Sequence, residues 1–238
     1  METTELIFRF LGIIMNAISL LHAEAGSTPS GTGSFVYFTN LSVAVQNIAF
    51  NKIVGMWGHT TSGTWSFFPC SYNRSAPGDT EVWQAHITGT EIDQFALKYQ
   101  VAGNIYWDNN SGYDYRLATG PAHTDGIGTV VINPNILVVG VYVDPGGKLN
   151  VEILVKNLDF AKTVAIVYTT DNWITFHNAF GSYKTSYPPA TQPHQANTEL
   201  WEVNTPVGVG ATGSFAAFYT VDGVTYWDNN FTLNYSFS

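Results

Sequence analysis

The pentapeptide Tyr-Trp-Asp-Asn-Asn occurs twice, at residues 106–110 and again at 226–230. It does not recur alone. Asn47-Ile-Ala-Phe50-Asn-Lys52 is matched by Asn157-Leu-Asp-Phe160-Ala-Lys162, and Trp65, Trp83 and Trp107 fall on Trp173, Trp201 and Trp227. Repetition on this scale reads as a duplicated domain rather than a solenoid, whose periods run from about 20 to 50 residues. A chain of 238 residues accommodates two such units.

Inside each copy the hydrophobic period is two. Phe95, Leu97, Tyr99 and Val101 alternate with Ala96, Lys98 and Gln100, and Phe215, Ala217, Tyr219 and Val221 repeat the pattern, which predicts half-buried strands. Segments 136–143 and 149–156 flank Asp144-Pro-Gly-Gly-Lys148 as strand, tight turn and strand; Ala102-Gly103 and Asp222-Gly223 mark two further hairpins. Many short strands and no long helical period predict an all-β protein of antiparallel β-sandwiches. The expected organisation is an N-terminal segment 1–25, a first sandwich 26–115, a Gly-, Pro- and Thr-rich linker 116–135 and a second sandwich 136–238.

Charge narrows the partners. A net charge of -9 with nine Lys and Arg leaves no basic stripe for phosphates, which argues against nucleic acid and anionic membranes and favours neutral ligands. Cys70 is the only cysteine, so no intrachain disulfide or Cys-based zinc cluster forms, and a buried structural thiol is expected. The six histidines lie without metal-ligand spacing, and no cofactor is expected. Gly208-Val-Gly210-Ala-Thr-Gly213 fits the dinucleotide fingerprint by letters, yet it leads into a strand rather than a helix.

The N-terminus reads two ways. The apolar stretch 6–21 before Ala23-Glu24-Ala25 has the form of a signal peptide, although Glu2 and Glu5 replace its usual positive flank; alternatively, 18–25 supplies the opening strand of the first domain. With sequons at Asn40, Asn73, Asn109, Asn230 and Asn234, the first reading predicts a secreted, extracellular protein carrying N-glycans.

Consecutive side chains of a strand point to opposite faces, so an inward Tyr106 beside Tyr99 turns Trp107 outward; Tyr226 and Trp227 behave alike. An outward Trp beside amides and a carboxylate suits a sugar, whose apolar face stacks on an indole while its hydroxyl rim pairs with polar side chains. The Asp-Asn-Asn runs equally suit a turn, because Asp and Asn bond their own backbone. Trp83 and Trp201, in Glu-x-Trp strands, are expected in the core.

Four separated blocks agree in order with one family: the Asn-x-x-Phe-x-Lys segment, the Trp65 and Trp173 positions, the Phe-x-x-x-Tyr strand, and Tyr-Trp-Asp-Asn-Asn. In these blocks the chain resembles carbohydrate-binding module family 21, the starch- and glycogen-binding domain. The resemblance implies tandem immunoglobulin-like sandwiches that bind α-1,4-glucan. It implies one site per copy at Trp65 with Trp107 and at Trp173 with Trp227, where Asp108, Asn109, Asn110, Asp228, Asn229 and Asn230 contact sugar or brace the loop. It implies a second site at Phe50 and Tyr72, and at Phe160 and Tyr183, near Asn47, Lys52, Asn157 and Lys162. Aromatic platforms that some members carry fall here on Ala96, Ala216, Thr80 and Thr198.

The expected function is therefore non-catalytic polysaccharide binding. A glycoside hydrolase needs two carboxylates flanking the scissile bond, and the two modules use nearly the whole chain. The alternative is an assembly protein on the same fold, oligomerising through the N-terminal segment and the outward Trp57, which has Val167 as its counterpart. Targeting of a protein phosphatase would call for a Lys/Arg-Val-x-Phe motif; the nearest stretch, Lys52-Ile-Val-Gly-Met56, ends in Met.

Overall fold

A computed structural model describes residues 16–31, 33–117, 127–187 and 197–238. The first half contributes β1 (Ile18–Ser30), β2 (Ser34–Gln46), β3 (Lys52–Thr60), β4 (Trp65–Pro69), β5 (Ser71–Ala76), β6 (Thr80–Thr88), β7 (Ile92–Val101), β8 (Asn104–Asp108) and β9 (Tyr115–Arg116). After β10 (Ile127–Ile132) come β11 (Ile136–Val143), β12 (Lys148–Lys156), β13 (Lys162–Thr169), β14 (His177–Tyr187), β15 (Thr198–Pro206), β16 (Gly213–Val221), β17 (Val224–Asp228) and β18 (Tyr235–Phe237). The fold is all-β, and the described strand pairs are antiparallel.

The pairing order of the first half recurs in the second. One sheet runs β10-β1-β2-β6-β5 and its partner β4-β3-β7-β8, with β9 beside β7; later, β11-β12-β15-β14 continues through β14 into β13-β16-β17. In the first half Cys70 separates β4 from β5, whereas β14 is one strand that pairs β13 at its start and β15 at its end. The alternating residues close the cores: Leu41, Val43, Val54, Met56, Phe95, Leu97 and Tyr99 in the first, Val151, Ile153, Ile166, Phe215 and Tyr219 in the second. Each core tyrosine carries its hydroxyl across to the other sheet, Tyr99 donating to the Gln46 carbonyl at 2.7 Å and Tyr219 to that of Lys156 at 2.8 Å.

The hairpins follow their turn residues. Ala102 and Gly103, like Asp222 and Gly223, take positive φ at both central positions, the geometry whose twist matches the flanking strands. The glycine-rich fingerprint has a packing role: a side chain on Gly213 would come within 2.1 Å of the Thr169 carbonyl oxygen, where β16 passes β13.

Two segments depart from the linker and leader expectations. Residues 127–132 of the expected linker form β10, which pairs with β1 and sends Val131 into the first core. Its other face, Val130 and Ile132, packs with Leu154, Tyr187 and Leu200 of the second half, so one strand is shared by both. Ala23-Glu24-Ala25 lies inside β1, with Ala23 buried. The rest of the leader, 1–15, falls outside the described residues.

Candidate carbohydrate-binding surfaces

The two pentapeptide loops share one construction. Tyr106 packs on Tyr99 and Tyr226 on Tyr219, each at 5.9 Å between ring centroids, while Trp107 and Trp227 face outward, 48% and 39% exposed. The carboxylates are braces. Asp108 accepts from the Leu20 amide of β1 at 2.9 Å and from the Tyr115 hydroxyl at 2.9 Å; Asp228 accepts from the Val138 amide of β11 at 2.7 Å and the Tyr235 hydroxyl at 2.9 Å. Each thus ties the loop to the opposite sheet. Burial pushes the Asp228 carboxyl above its ordinary range against the pull of those donors, and burial beside the carboxylates pushes both tyrosine hydroxyls up, keeping them donors.

The amides shape the turn. Asn109 and Asn229 accept from the amides of Gly112 and Thr232, at 3.1 and 3.0 Å; Asn110 and Asn230 donate to the carbonyls of Asp114 and Asn234, both at 3.0 Å.

Trp65 and Trp107 stand on β4 and β8, at opposite ends of the β4-β3-β7-β8 order, three inter-strand steps across and four residues along the strands, about 19 Å apart. They share an outer face rather than a ring contact, and what lies between them was not singled out from the sequence. Register sets Trp57 between Phe67 and Ala96, and Gly55 between Pro69 and Lys98. A side chain on Gly55 would meet the Phe67 ring at 2.6 Å, so that glycine makes room for the ring. The Lys98 ammonium lies 5.7 Å from the Phe67 centroid and 5.9 Å from that of Trp107, linking the two aromatics. His59, 5.4 Å from Trp65, continues the band. Trp57 thus pairs with Ala96, where the resemblance places an aromatic in some members.

The second half repeats the face with different side chains. Phe180, Ala165, Phe218 and Trp227 form one row in register, with Phe218 5.2 Å from Trp227. Trp173, 38% exposed, sits in the β13–β14 loop at φ 67°, its amide donating to the Thr169 hydroxyl at 3.0 Å. Asp171 accepts from Thr175 and Thr169 around the same loop, and those bonds, the Thr175 hydroxyl first, bring its pKa down to about 2. The flank of Ala96 and Ala216, opposite in phase to the inward residues, was the signal that could have found Lys98 and Phe218.

The second predicted cluster is also duplicated. Phe50 and Phe160 stand 95% and 96% exposed in the turns before β3 and β13. Tyr72 meets the edge of Trp83, and Tyr183 that of Trp201, at 5.9 and 6.0 Å. Lys52 donates to Asn47 and Glu81, and Lys162 to Asn157 and Glu199; both lysine side chains are only 3% exposed. Trp83 and Trp201 donate to the same two glutamates, at 2.9 and 3.0 Å. The structure thus engages the Lys52 and Lys162 ammonium groups in buried ion pairs, while Asn47 and Asn157 are exposed and Phe50, Phe160, Tyr72 and Tyr183 face solvent. Thr80 and Thr198 are buried. Among the described residues, no cluster of His, Cys, Asp and Glu is arranged to hold a metal ion.

A β-sandwich that spreads aromatic side chains over an outer sheet face, above a braced Asp-Asn-Asn loop, has the construction of a carbohydrate-binding module. Residues 133–238 match the family model for the carbohydrate/starch-binding module (family 21). Protein phosphatase 1 regulatory subunit 3B of Mus musculus is 38% identical over 87 residues, covering 32% of this chain and 30% of its own. Glucoamylase 1 of Rhizopus oryzae is 29% identical over 119 residues, covering 45% of this chain and 20% of its own. The chain therefore spans less than a third of the length of these two relatives. The solved starch binding domain of Rhizopus oryzae glucoamylase, in complex with beta-cyclodextrin and maltoheptaose, is 23% identical with a TM-score of 0.36, over 44% of this chain and 96% of that one.

The expectation of a secreted, extracellular protein is corrected here. Relatives 36–38% identical over 87 residues are regulatory subunits of protein phosphatase 1. Ala23-Glu24-Ala25, which has the form of a cleavage site, is interior to β1. Two of the sequon amides are engaged, Asn40 donating to Glu24 at 2.6 Å and Asn230 to the Asn234 carbonyl.

Proposed function

We propose that the chain is a non-catalytic α-glucan-binding protein of two modules, β1 to β10 and β11 to β18, each offering the outer face that carries Trp107 or Trp227. The observation that carries this reading is the duplication of the braced loop with its outward Trp, one copy of which lies within the family-matched residues. The Trp65 and Trp107 face is completed by Trp57, Phe67 and Lys98; the Trp173 and Trp227 face by Phe180 and Phe218. Phe50 with Tyr72 and Phe160 with Tyr183 form secondary contacts. The carboxylates speak against hydrolysis: Asp108 and Asp228 belong to different halves, and each is engaged by backbone and tyrosine donors.

The test is sedimentation with insoluble starch, glycogen, cellulose and chitin. Burying about 50 Å² of sugar face contributes ~1 kcal/mol. Trp107→Ala and Trp227→Ala should each weaken starch binding about fivefold, at 1.4 kcal/mol per tenfold, and the double variant should lose most of it. A double variant that sediments like wild type refutes the site assignment. Sedimentation with cellulose or chitin in preference to starch refutes the α-glucan.

A second reading is motivated by the phosphatase regulatory relatives: the module would bring a phosphatase to the polysaccharide it binds. The stretch nearest to a docking motif, Lys52 to Met56, lies in β3 with Met56 fully buried. Recruitment would therefore use other surface.

A further inference from the structure

One side chain crosses between the halves at the candidate loop. Arg74 lies on β5, the edge of the first sandwich, just after a register shift between Tyr72 and Arg74 that re-aims the strand. Its Nη2 donates to Oδ1 of Asn230, 156 residues away, at 2.8 Å, and its guanidinium carbon stands 5.7 Å from the Phe231 ring centroid. Asn230 is thereby held from both ends, since its Nδ2 already donates to the Asn234 carbonyl and its backbone amide to Asp228.

The two loops differ where Arg74 acts. Both run through positive φ, but the first does so at Asn110, Ser111 and Gly112, and the second at Asn230, Phe231 and Thr232. A bulky aromatic and a β-branched residue in the left-handed region are conformational outliers, which persist only where surrounding structure over-determines them. Arg74 supplies that determination for Asn230 and Phe231. It is also the cation that opposes the effect of burial on Asp228. Shared strand β10, packed through Val130 and Ile132 on Leu154, Tyr187 and Leu200, keeps the halves together, so the arginine does not have to order a free tether.

We propose that Arg74 is a positioning residue through which the first module fixes the sugar-facing loop of the second, so that the Trp227 face binds glucan at full strength only when docked on the first module. The proposal rests on the α-glucan reading above. It carries a consequence for specificity: the side-chain oxygen of Asn230 is taken by the guanidinium, and a sugar at the Trp227 face meets a different set of acceptors from one at Trp107.

The experiment uses the full chain with Trp107→Ala as background, so that glycogen binding reports mainly on the second module. Arg74→Ala and Arg74→Lys are added, and amide hydrogen exchange is measured alongside affinity electrophoresis in glycogen. Loss of a charge-assisted hydrogen bond should speed exchange across 230–234 about tenfold in Arg74→Ala. Exchange in β16 and the melting temperature should stay as in the parent, and glycogen affinity should fall about fivefold. Arg74→Lys, which keeps a cation over Phe231, should recover part of both. Unchanged loop exchange in Arg74→Ala overturns the proposal, as does a loosened loop with unaltered glycogen affinity. A wild-type chain that glycogen does not retain overturns the α-glucan reading instead, while the exchange data still decide whether Arg74 fixes the loop.

Discussion

Replacing Asp108 by alanine separates two roles that a motif acid can have. In the structure its carboxylate is the partner of the Leu20 amide and the Tyr115 hydroxyl, both at 2.9 Å, and Leu20 and Tyr115 are 1% and 4% exposed. A hydrogen bond to a charged group contributes about 1.5–3 kcal/mol net, and its removal here leaves two buried donors without water to replace the carboxylate. The expected loss is about 3–5 kcal/mol, a large share of the ~5–15 kcal/mol that stabilises a folded domain. At roughly 2–4 °C per kcal/mol for a chain of this size, the melting temperature should fall by about 10 °C. Asn109→Ala removes only the exposed bond from the Gly112 amide and should cost about 1 kcal/mol. The assay is urea unfolding followed by intrinsic fluorescence, with starch sedimentation of each variant under conditions where it remains folded. An Asp108→Ala chain destabilised by less than about 1 kcal/mol, but no longer retained by starch, would refute the reasoning: the acid would then be a sugar ligand and not a brace. Asp228→Ala, which frees the Val138 amide and the Tyr235 hydroxyl, should behave like Asp108→Ala.

Two further outcomes follow from titrating groups. Burial pushes the Cys70 thiol up to about 12, so a thiol-specific disulfide reagent at pH 8 should leave the native chain unlabelled and label it after unfolding; rapid labelling of the native chain would refute the buried position. The bonds from Thr175 and Thr169 lower Asp171 from an ordinary 3.8 to about 2 in the folded loop, so its contribution is present above pH 3.8 and lost as pH falls toward 2. The Trp173 indole resonance of the folded chain should therefore keep its position from pH 7 to about 3 and shift as the pH falls through about 2, and in Asp171→Ala it should be shifted already at pH 7; an Asp171→Ala spectrum identical to wild type at pH 7 would refute the loop's dependence on this acid.

Much of the fold was legible because it is written in local rules. Alternation at Phe95, Leu97 and Tyr99 fixes which face is inward, and the same parity turns Trp57 and Trp107 outward. Ala102-Gly103 and Asp222-Gly223 announce hairpins because their geometry asks for positive φ twice. What the sequence concealed depends on pairing over distance. Residues 127–132, Ile-Gly-Thr-Val-Val-Ile, look like the end of a linker because a strand buried on both faces shows no alternation. Lys52 and Lys162 read as neighbours of a sugar, yet each meets a Glu of the repeated Glu-x-Trp, 29 and 37 residues on, and is spent on the frame. Nothing local distinguishes Arg74, whose partner is 156 residues away.

Those same long-range contacts change how two weak sites would cooperate. Modules on a free tether gain avidity through an effective concentration set by linker length and stiffness. Here 127–132 is a strand of the first sandwich and packs on the second, and Arg74 reaches the loop beside Trp227. The relative placement of the two aromatic faces is then a property of the packing, like the placement of Trp65 and Trp107 on one sheet. Binding of a polymer at both faces depends on whether its curvature matches that fixed placement, because linkage without the right geometry contributes no avidity. On the α-glucan reading proposed above, Ala96 and Ala216 would leave each face short of an aromatic platform, and a rigid pair of faces is the arrangement in which two such faces would still select one polymer shape.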